Sequence, residues 1–126
     1  MLNDRMADMC GAGRGIVVRD TIERIGDKWS LLVIGMLQEQ PLRFTTLKNA
    51  VPGISQRMLT RTLRHLERDG IVSRTAHAEV PPRVEYALTP LGARLLPHVV
   101  EIAKWALESE TEILRNRAAF DEAASA

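Results

Sequence analysis

Four arginines recur at helical spacing in the middle of the chain, with side chains suited to binding anions and base edges. Arg61, Arg64 and Arg68 follow Arg57 by 4, 7 and 11 residues, and His65 lies among them. Residues at these offsets share one face of an α-helix. A guanidinium group is planar and donates two parallel hydrogen bonds, which suits phosphate oxygens and base edges. The spacing predicts a helix face that can contact nucleic acid, and a solvated basic face without a ligand is the alternative.

The order of side chains along this helix predicts two roles. Ser55 is a suitable N-cap residue, so the helix is expected to begin directly after it. A helix that lies in the major groove contacts bases with its N-terminal half. The residues expected to approach bases are Gln56, Arg57, Thr60 and Arg61. The residues expected to contact phosphates are Ser55 and Arg64 of this helix and Arg83, which follows it in the chain.

A preceding short helix and a tight turn are expected to position the basic helix. The short helix is predicted from Thr45 to Val51, with Thr45 or Thr46 as its cap. Pro52-Gly53 forms the turn, and Gly70 ends the basic helix as its C′ residue. Two short helices joined in this way are typical of a helix-turn-helix.

After Gly70 the sequence pattern changes from helix to strand. Residues 71–75 and 84–88 are predicted strands, and Pro81-Pro82 stiffen the loop between them. A β-hairpin directly after the basic helix is a wing. The fold class predicted is therefore mainly α with a small β-hairpin wing, a winged helix-turn-helix.

Three further helices complete the predicted fold. The first covers 17–25, and the second covers 28–40 with Asp27 as its cap. The last begins after Thr89, with Pro90 as its first residue, and runs to about Arg117 with a kink at Pro97. We expect a flexible arm at 1–15, a domain at 16–117 and a frayed tail at 118–126. The last helix has more apolar surface than a small winged core can cover.

Charge is distributed unevenly along the chain. The net charge is +1, but residues 43–94 contain nine Lys and Arg against four Asp and Glu. This asymmetry is typical of one segment that meets phosphate. The longest apolar run, 31–37, is too short to span a bilayer, and no signal peptide is apparent. We therefore expect a cytoplasmic protein with no membrane partner.

The chain shows no pattern typical of an enzyme. The glycines of 11–15 follow no strand, so they do not make a dinucleotide site. His65, His77 and His98 are not at metal-ligand spacing, and Cys10 is the only cysteine. We predict no catalytic residue, no metal and no cofactor. A winged-helix interaction module without DNA binding remains the alternative function.

The assembled order resembles the HxlR-type branch of the MarR-related winged helix-turn-helix regulators. The match covers about 16–110, and its wing and basic-helix motifs are jointly specific. The residues that carry it are 25–29 (IGDKW), 43–44, 52–59 (PGISQRML), 66–72, 81–89 (PPRVEYALT), Gly92 and Trp105.

The resemblance implies a homodimer that binds a (pseudo)palindromic operator in double-stranded DNA and represses or activates nearby genes, with repression favoured. It implies dimer contacts from the first and last helices. The expected dimer residues are Ile22, Val99, Ile102, Trp105, Ala106 and Ile113. Trp105 and Trp29 are expected to pack in the core or interface, and a small-molecule pocket is the alternative.

Cys10 departs from the pattern of the redox-sensing members. Their cysteine lies at the start of the first helix, which corresponds to Gly15 or Ile16 here. Cys10 lies five or six residues earlier. It is a candidate redox sensor, with an incidental thiol as the alternative, and a small-molecule or redox effector stays unidentified.

Overall fold

The computed structural model describes residues 14–125, which form five helices and three strands. The sheet is antiparallel, with strand order β1-β3-β2. The elements are α1 (Arg14–Ile25), α2 (Ser30–Met36), β1 (Leu42–Arg43), α3 (Phe44–Ala50), α4 (Gln56–Arg68), β2 (Val72–His77), β3 (Arg83–Leu88) and α5 (Pro90–Ser125). This is a winged helix-turn-helix with a long C-terminal helix, so the predicted fold class is confirmed.

The core forms around α2, whose Val33 and Ile34 are fully buried. Apolar side chains of the other elements surround α2 and remove each other from water, which is the main stabilising contribution in a domain of this size. The buried residues packed around it are Leu37, Leu47, Val51, Ile54, Leu59, Leu63, Leu66, Ile71, Val72 and Val99.

The wing is a regular hairpin of β2 and β3, and the short strand β1 pairs with the free edge of β3. β2 and β3 pair in register from Val72 opposite Leu88 to His77 opposite Arg83. β1 adds to the other edge of β3, where Leu42 pairs with Tyr86. β1 was not predicted, because two residues are too short to show a sequence period.

The two helices before the basic helix begin elsewhere than predicted. α2 starts at Ser30, with Trp29 rather than Asp27 at the N-cap position, and it ends at Met36 instead of near Gln40. The prediction of Asp27 as a cap is wrong because its N–H bonds back to Arg24 O in a turn that closes α1. α3 starts at Phe44, so the predicted Thr45 or Thr46 cap is also wrong.

The start of α3 has a tertiary cause. Arg43 has an extended backbone because it pairs with Glu85 in the sheet. The chain leaves that strand directly into the helix, and no side chain caps its first turn. The pairing of residues that are distant in sequence has overridden the local capping preference.

α5 begins as predicted but continues further. Thr89 Oγ1 accepts a hydrogen bond from Gly92 N, and Pro90 is the first helical residue. The helix runs through Pro97 to Ser125, so the frayed tail expected at 118–126 is instead helical as far as 125. Its four alanines at 118, 119, 123 and 124 have the highest helix propensity. No helix within 14–125 is both long and apolar enough to cross a membrane.

Candidate nucleic-acid interface

One face of α4 anchors the helix in the core. Leu59, Leu63 and Leu66 are buried at helical spacing, and Thr62 is buried beside them. Met58 is half-buried and packs against the core, as expected for its place next to the inner face. This burial fixes the rotation of α4, so the opposite face must point outward.

The turn before α4 is set by local signals. Gly53 has φ +83°, a left-handed conformation that favours glycine. Val51 and Ile54 on either side are buried, and Ile54 N donates to Val51 O. Ser55 Oγ then accepts a hydrogen bond from Met58 N at 3.1 Å, which confirms the predicted N-cap.

The end of α4 is equally well defined. Gly70 has φ +77° and donates its N–H to Glu67 O, while Ile71 N donates to Leu66 O. This pair of bonds is the Schellman motif, which satisfies the last carbonyls of the helix. Gly70 as the C′ residue is confirmed, and Ile71 is buried as the chain turns into the wing.

The outer face of α4 is an open groove of about 710 Å³. Its lining contains two arginines from the expected base-reading set, one arginine expected at phosphate, and His65; no carboxylate lines it. The lining residues are Gln56, Arg57, Thr60, Arg61, Arg64 and His65. The structure thus places five of the seven predicted DNA contacts on one continuous surface, next to the Ser55 cap. Whether these residues contact DNA stays a prediction.

Two hydroxyls of the predicted set have internal partners. Thr60 Oγ1 donates to Gln56 O at 2.8 Å, so only its lone pairs are free to accept. Ser55 Oγ is the acceptor in the helix cap, which leaves its O–H free to donate to a phosphate.

Arg68 lies apart from the other three arginines. It is exposed near the end of α4 and lines a separate depression with Asp20 of α1 and Asp69. Asp69 Oδ2 also lies 3.6 Å from Arg24 Nη1, an ion pair that joins α1 to the end of α4. Carboxylates therefore border the basic stripe along its α1 side, where Asp20 and Glu23 also share a depression with Arg61 and His65.

Arg83 occupies a different environment from the other predicted contacts. Its Nη2 lies 3.1 Å from Glu79 Oε1, and its Nε lies 3.1 Å from Glu85 Oε1. The Nε–H is not aligned for a hydrogen bond, so the second contact is an ion pair alone. His77 Nε2 lies 3.6 Å from the same Glu85 oxygen. The wing thus holds Arg83 between two carboxylates.

Arg74 was not singled out from the sequence, but the structure places it next to the groove. It is exposed on β2 and lines a depression of about 400 Å³ with Thr60 and Arg64 of α4. The signal available in the sequence was an arginine in the first strand after a basic helix. That signal was insufficient, because the strand pattern alone does not say which side faces α4.

The expected dimer residues are mostly exposed. Ile22, Ile102, Trp105 and Ala106 are exposed, with Trp105 at 60%, and Ile113 is half-buried. Val99 is different, because it is only 5% exposed and packs in the core of the protomer. Its side chain is therefore unavailable at an interface, which corrects that expectation. Trp29 packs against the core, as one of its two interpretations predicted.

The candidates for other chemistry are dispersed. His65 lies on α4, His77 at the end of β2 and His98 on α5. Within the part of the chain that the structure describes, no group of three or more His, Cys, Asp or Glu side chains could hold a metal. Cys10 lies outside the described residues.

Comparison with known proteins gives a consistent set of similarities. The HxlR-like helix-turn-helix family matches residues 24–113. YkvN of Bacillus subtilis, an uncharacterized HTH-type transcriptional regulator, is 47% identical over 85 residues, covering 68% of this chain and 72% of YkvN. The transcriptional regulator ytfH from Salmonella typhimurium has a TM-score of 0.74 at 33% identity, covering 79% of this chain and 89% of that one. The redox regulator HypR in its reduced form has a TM-score of 0.70 at 40% identity, covering 79% and 97%.

Proposed function

Because this chain belongs to the HxlR-like helix-turn-helix family, we propose that it binds double-stranded DNA sequence-specifically as a homodimer. The chain is a transcriptional regulator with a helix-turn-helix domain, and its relatives are regulators rather than enzymes. The DNA site proposed is a (pseudo)palindromic operator. We propose that it represses transcription, since a dimer bound over a promoter excludes other proteins from that DNA. We also propose that it acts in the cytoplasm.

One observation carries the proposal. The outer groove of α4 is lined by Arg57, Arg61, Arg64 and His65 without a carboxylate, although the whole chain has nearly equal numbers of acids and bases. An α-helix fits the major groove, and arginine binds guanine there through O6 and N7. We propose base contacts from Gln56, Arg57, Thr60 and Arg61. We propose phosphate contacts from Ser55 and Arg64.

The homodimer is supported by apolar surface that the protomer leaves uncovered. α5 contains 36 residues, about 54 Å of helix at 1.5 Å per residue, and contacts α2 and β3. Val99 is the last buried residue along it. Beyond Val99, the large apolar side chains exposed on α5 are Val100, Ile102, Trp105, Leu107, Leu114 and Phe120. Large apolar side chains exposed in this number on one helix favour an interface.

The DNA-binding proposal is tested by selecting bound duplexes from a random pool with purified protein at physiological salt. We expect a shared inverted repeat with half-sites about one helical turn apart. Arg57→Ala or Arg61→Ala is expected to cost about 1–3 kcal/mol and to relax the preference at one base pair. Arg115→Ala, on the exposed part of α5, removes the same charge and is the matched control. Weak binding that has no sequence preference and disappears in modest salt would favour an interaction module instead.

The same selection, repeated with an oxidant, tests Cys10. Loss of binding that reductant reverses and that Cys10→Ser abolishes would make this thiol a redox sensor, as the similarity to HypR suggests. Unchanged binding would leave it an incidental thiol. A reporter gene behind the selected operator tests repression, which predicts higher expression when the gene for this protein is deleted.

The dimer is tested by analytical ultracentrifugation of Trp105→Glu and Ile102→Glu. A carboxylate buried at an apolar interface is strongly unfavourable, so both variants should sediment as monomers. Val80→Glu is the matched control, because Val80 is an equally apolar residue that is fully exposed in the wing loop. A dimer that survives both α5 substitutions would place the interface elsewhere.

A further inference from the structure

The wing and α4, which we call the recognition helix, together form a second basic surface beside the groove on the outer face of α4. Arg74 lies opposite Tyr86 in the hairpin register, and its side chain is exposed. It lines one depression with Arg64, so arginines from two separate elements meet there. The full lining is Thr60, Leu63, Arg64, Glu67, Arg74 and Tyr86.

The charge of this depression favours an anion. Two guanidinium groups line it against the single carboxylate of Glu67, which leaves a net positive charge. No ion pair joins Arg74 or Arg64 to any other residue in 14–125. Within that part of the chain both guanidinium groups therefore keep their donors available, and a phosphate can accept bidentate hydrogen bonds from either one.

Arg83, the wing residue expected to meet phosphate, is in the opposite situation. Glu79 and Glu85 both lie 3.1 Å from its guanidinium nitrogens. A phosphate that approached Arg83 would meet two carboxylates as well, and like charges repel. The Arg83–Glu79 pair bridges the ends of the wing loop, whereas the Arg83–Glu85 pair lies within β3. Arg83 therefore has a structural role in holding the loop.

We propose that the depression between α4 and β2 binds a DNA phosphate. Arg74 and Arg64 together contact the DNA backbone on the side of the wing, and Arg83 does not. The proposal rests on the DNA binding proposed above. The geometry agrees with a strand that leaves the major groove beside α4 and passes over β2. Thr60 lines both the protein groove on the outer face of α4 and the depression between α4 and β2. The proposed base contacts and the proposed phosphate contact are therefore adjacent.

Phosphate contacts do not depend on sequence, so the test needs no operator. Binding of a fluorescent 30-base-pair duplex of arbitrary sequence is measured by anisotropy over a series of KCl concentrations. Loss of one phosphate contact lowers the slope of log K against log salt by about 0.9, which corresponds to roughly eightfold weaker binding at 0.1 M salt. We expect this change for Arg74→Ala, and an unchanged slope for Arg83→Ala and for the control Arg115→Ala.

Two further variants sharpen the result. Arg74→Lys keeps the charge, so it should retain the slope and lose only part of the affinity. Glu67→Gln removes the carboxylate of the depression, so it should bind a few-fold more tightly. Thermal unfolding of each variant identifies any that has lost the fold. An unchanged slope for Arg74→Ala, or a reduced slope for a folded Arg83→Ala, would overturn the proposal.

A last measurement separates DNA phosphate from free phosphate. Inorganic phosphate, added at constant ionic strength, should not displace the duplex from the wild-type protein. Displacement from wild type but not from Arg74→Ala would reassign the depression to free phosphate. A wild-type protein that binds selected and arbitrary duplexes equally would contradict the proposed function, whereas a normal slope in Arg74→Ala contradicts only this inference.

Discussion

Gly92 is the position where a single methyl group should test the packing of α5 against the start of the wing. It is buried in the first turn of α5. A Cβ at this position would overlap the carbonyl oxygen of Ile71 and would lie 3.2 Å from Leu88 Cδ2. The obstacle is backbone, which cannot rotate away as a side chain can. Gly92→Ala is therefore expected to destabilise the protein.

The magnitude follows from two opposing contributions. Ile71 O is held in place because it accepts hydrogen bonds from Thr89 N at 3.1 Å and Thr89 Oγ1 at 3.2 Å. Overpacking costs about 1–3 kcal/mol, and this constraint places Gly92 at the upper end. Alanine gains about 1 kcal/mol over glycine in helix propensity. The net loss expected is about 2 kcal/mol, which lowers the melting temperature by about 6–12 °C for a domain of this size.

Thermal unfolding followed by circular dichroism measures the effect, with all variants at one protein concentration because association also stabilises. Gly35→Ala in α2 is the matched control. A Cβ there meets no atom within 4 Å, so only the propensity contribution remains. The control should be stabilised by about 0.5–1 kcal/mol.

The two substitutions are chemically identical and should differ in sign. A Gly92→Ala protein that melts at or above the wild-type temperature would refute the close approach of α5 to Ile71. Equal destabilisation of both variants would show that the cost comes from helical glycine replacement in general rather than from this contact.

Three further outcomes are expected from local contacts. Ser55→Ala removes the acceptor for Met58 N and should lower the free energy of unfolding in urea by about 1 kcal/mol. Ser55→Asp keeps an acceptor and should retain most of the wild-type stability, so equal losses in the two variants would contradict the cap. Thr89→Ala should cost about 0.5–2 kcal/mol because it removes the acceptor for Gly92 N and the single hydroxyl donor that the carbonyls of Gly70 and Ile71 share, and Thr89→Ser should retain most of the wild-type stability. The Arg24–Asp69 pair is partly exposed, so a double-mutant cycle with Arg24→Ala and Asp69→Asn should give a coupling below about 1 kcal/mol; a larger value would indicate a buried network.

The sequence could predict the elements that local signals define. Ser55 and Gly70 delimit α4, and Thr89-Pro90 begins α5, because caps and left-handed glycines act within a few residues. The arginine positions at 57, 61 and 64 follow from helical periodicity. Each of these predictions needs only the hydrogen bonds of one turn or the geometry of one helix.

The predictions that failed depended on residues far apart in the chain. The cap expected for α3 was wrong because Arg43 pairs with Glu85 in the sheet. Val99 was assigned to the dimer because its type and spacing match those of its exposed neighbours on α5. Whether such a residue faces the core of its own protomer or points outward depends on where α2 packs against α5. Helical periodicity in the sequence does not predict that position.

For the candidate site, the sequence by itself determined the recognition helix: its limits, its buried leucines and the arginines on the opposite face. Only the tertiary structure decided how the wing presents its charges, with Arg83 between Glu79 and Glu85 and Arg74 beside Arg64. The physical reason is the distance along the chain over which each interaction acts. Helix periodicity and capping are fixed by neighbouring residues, whereas the partner of a charged side chain is fixed by the folding of separate elements against each other.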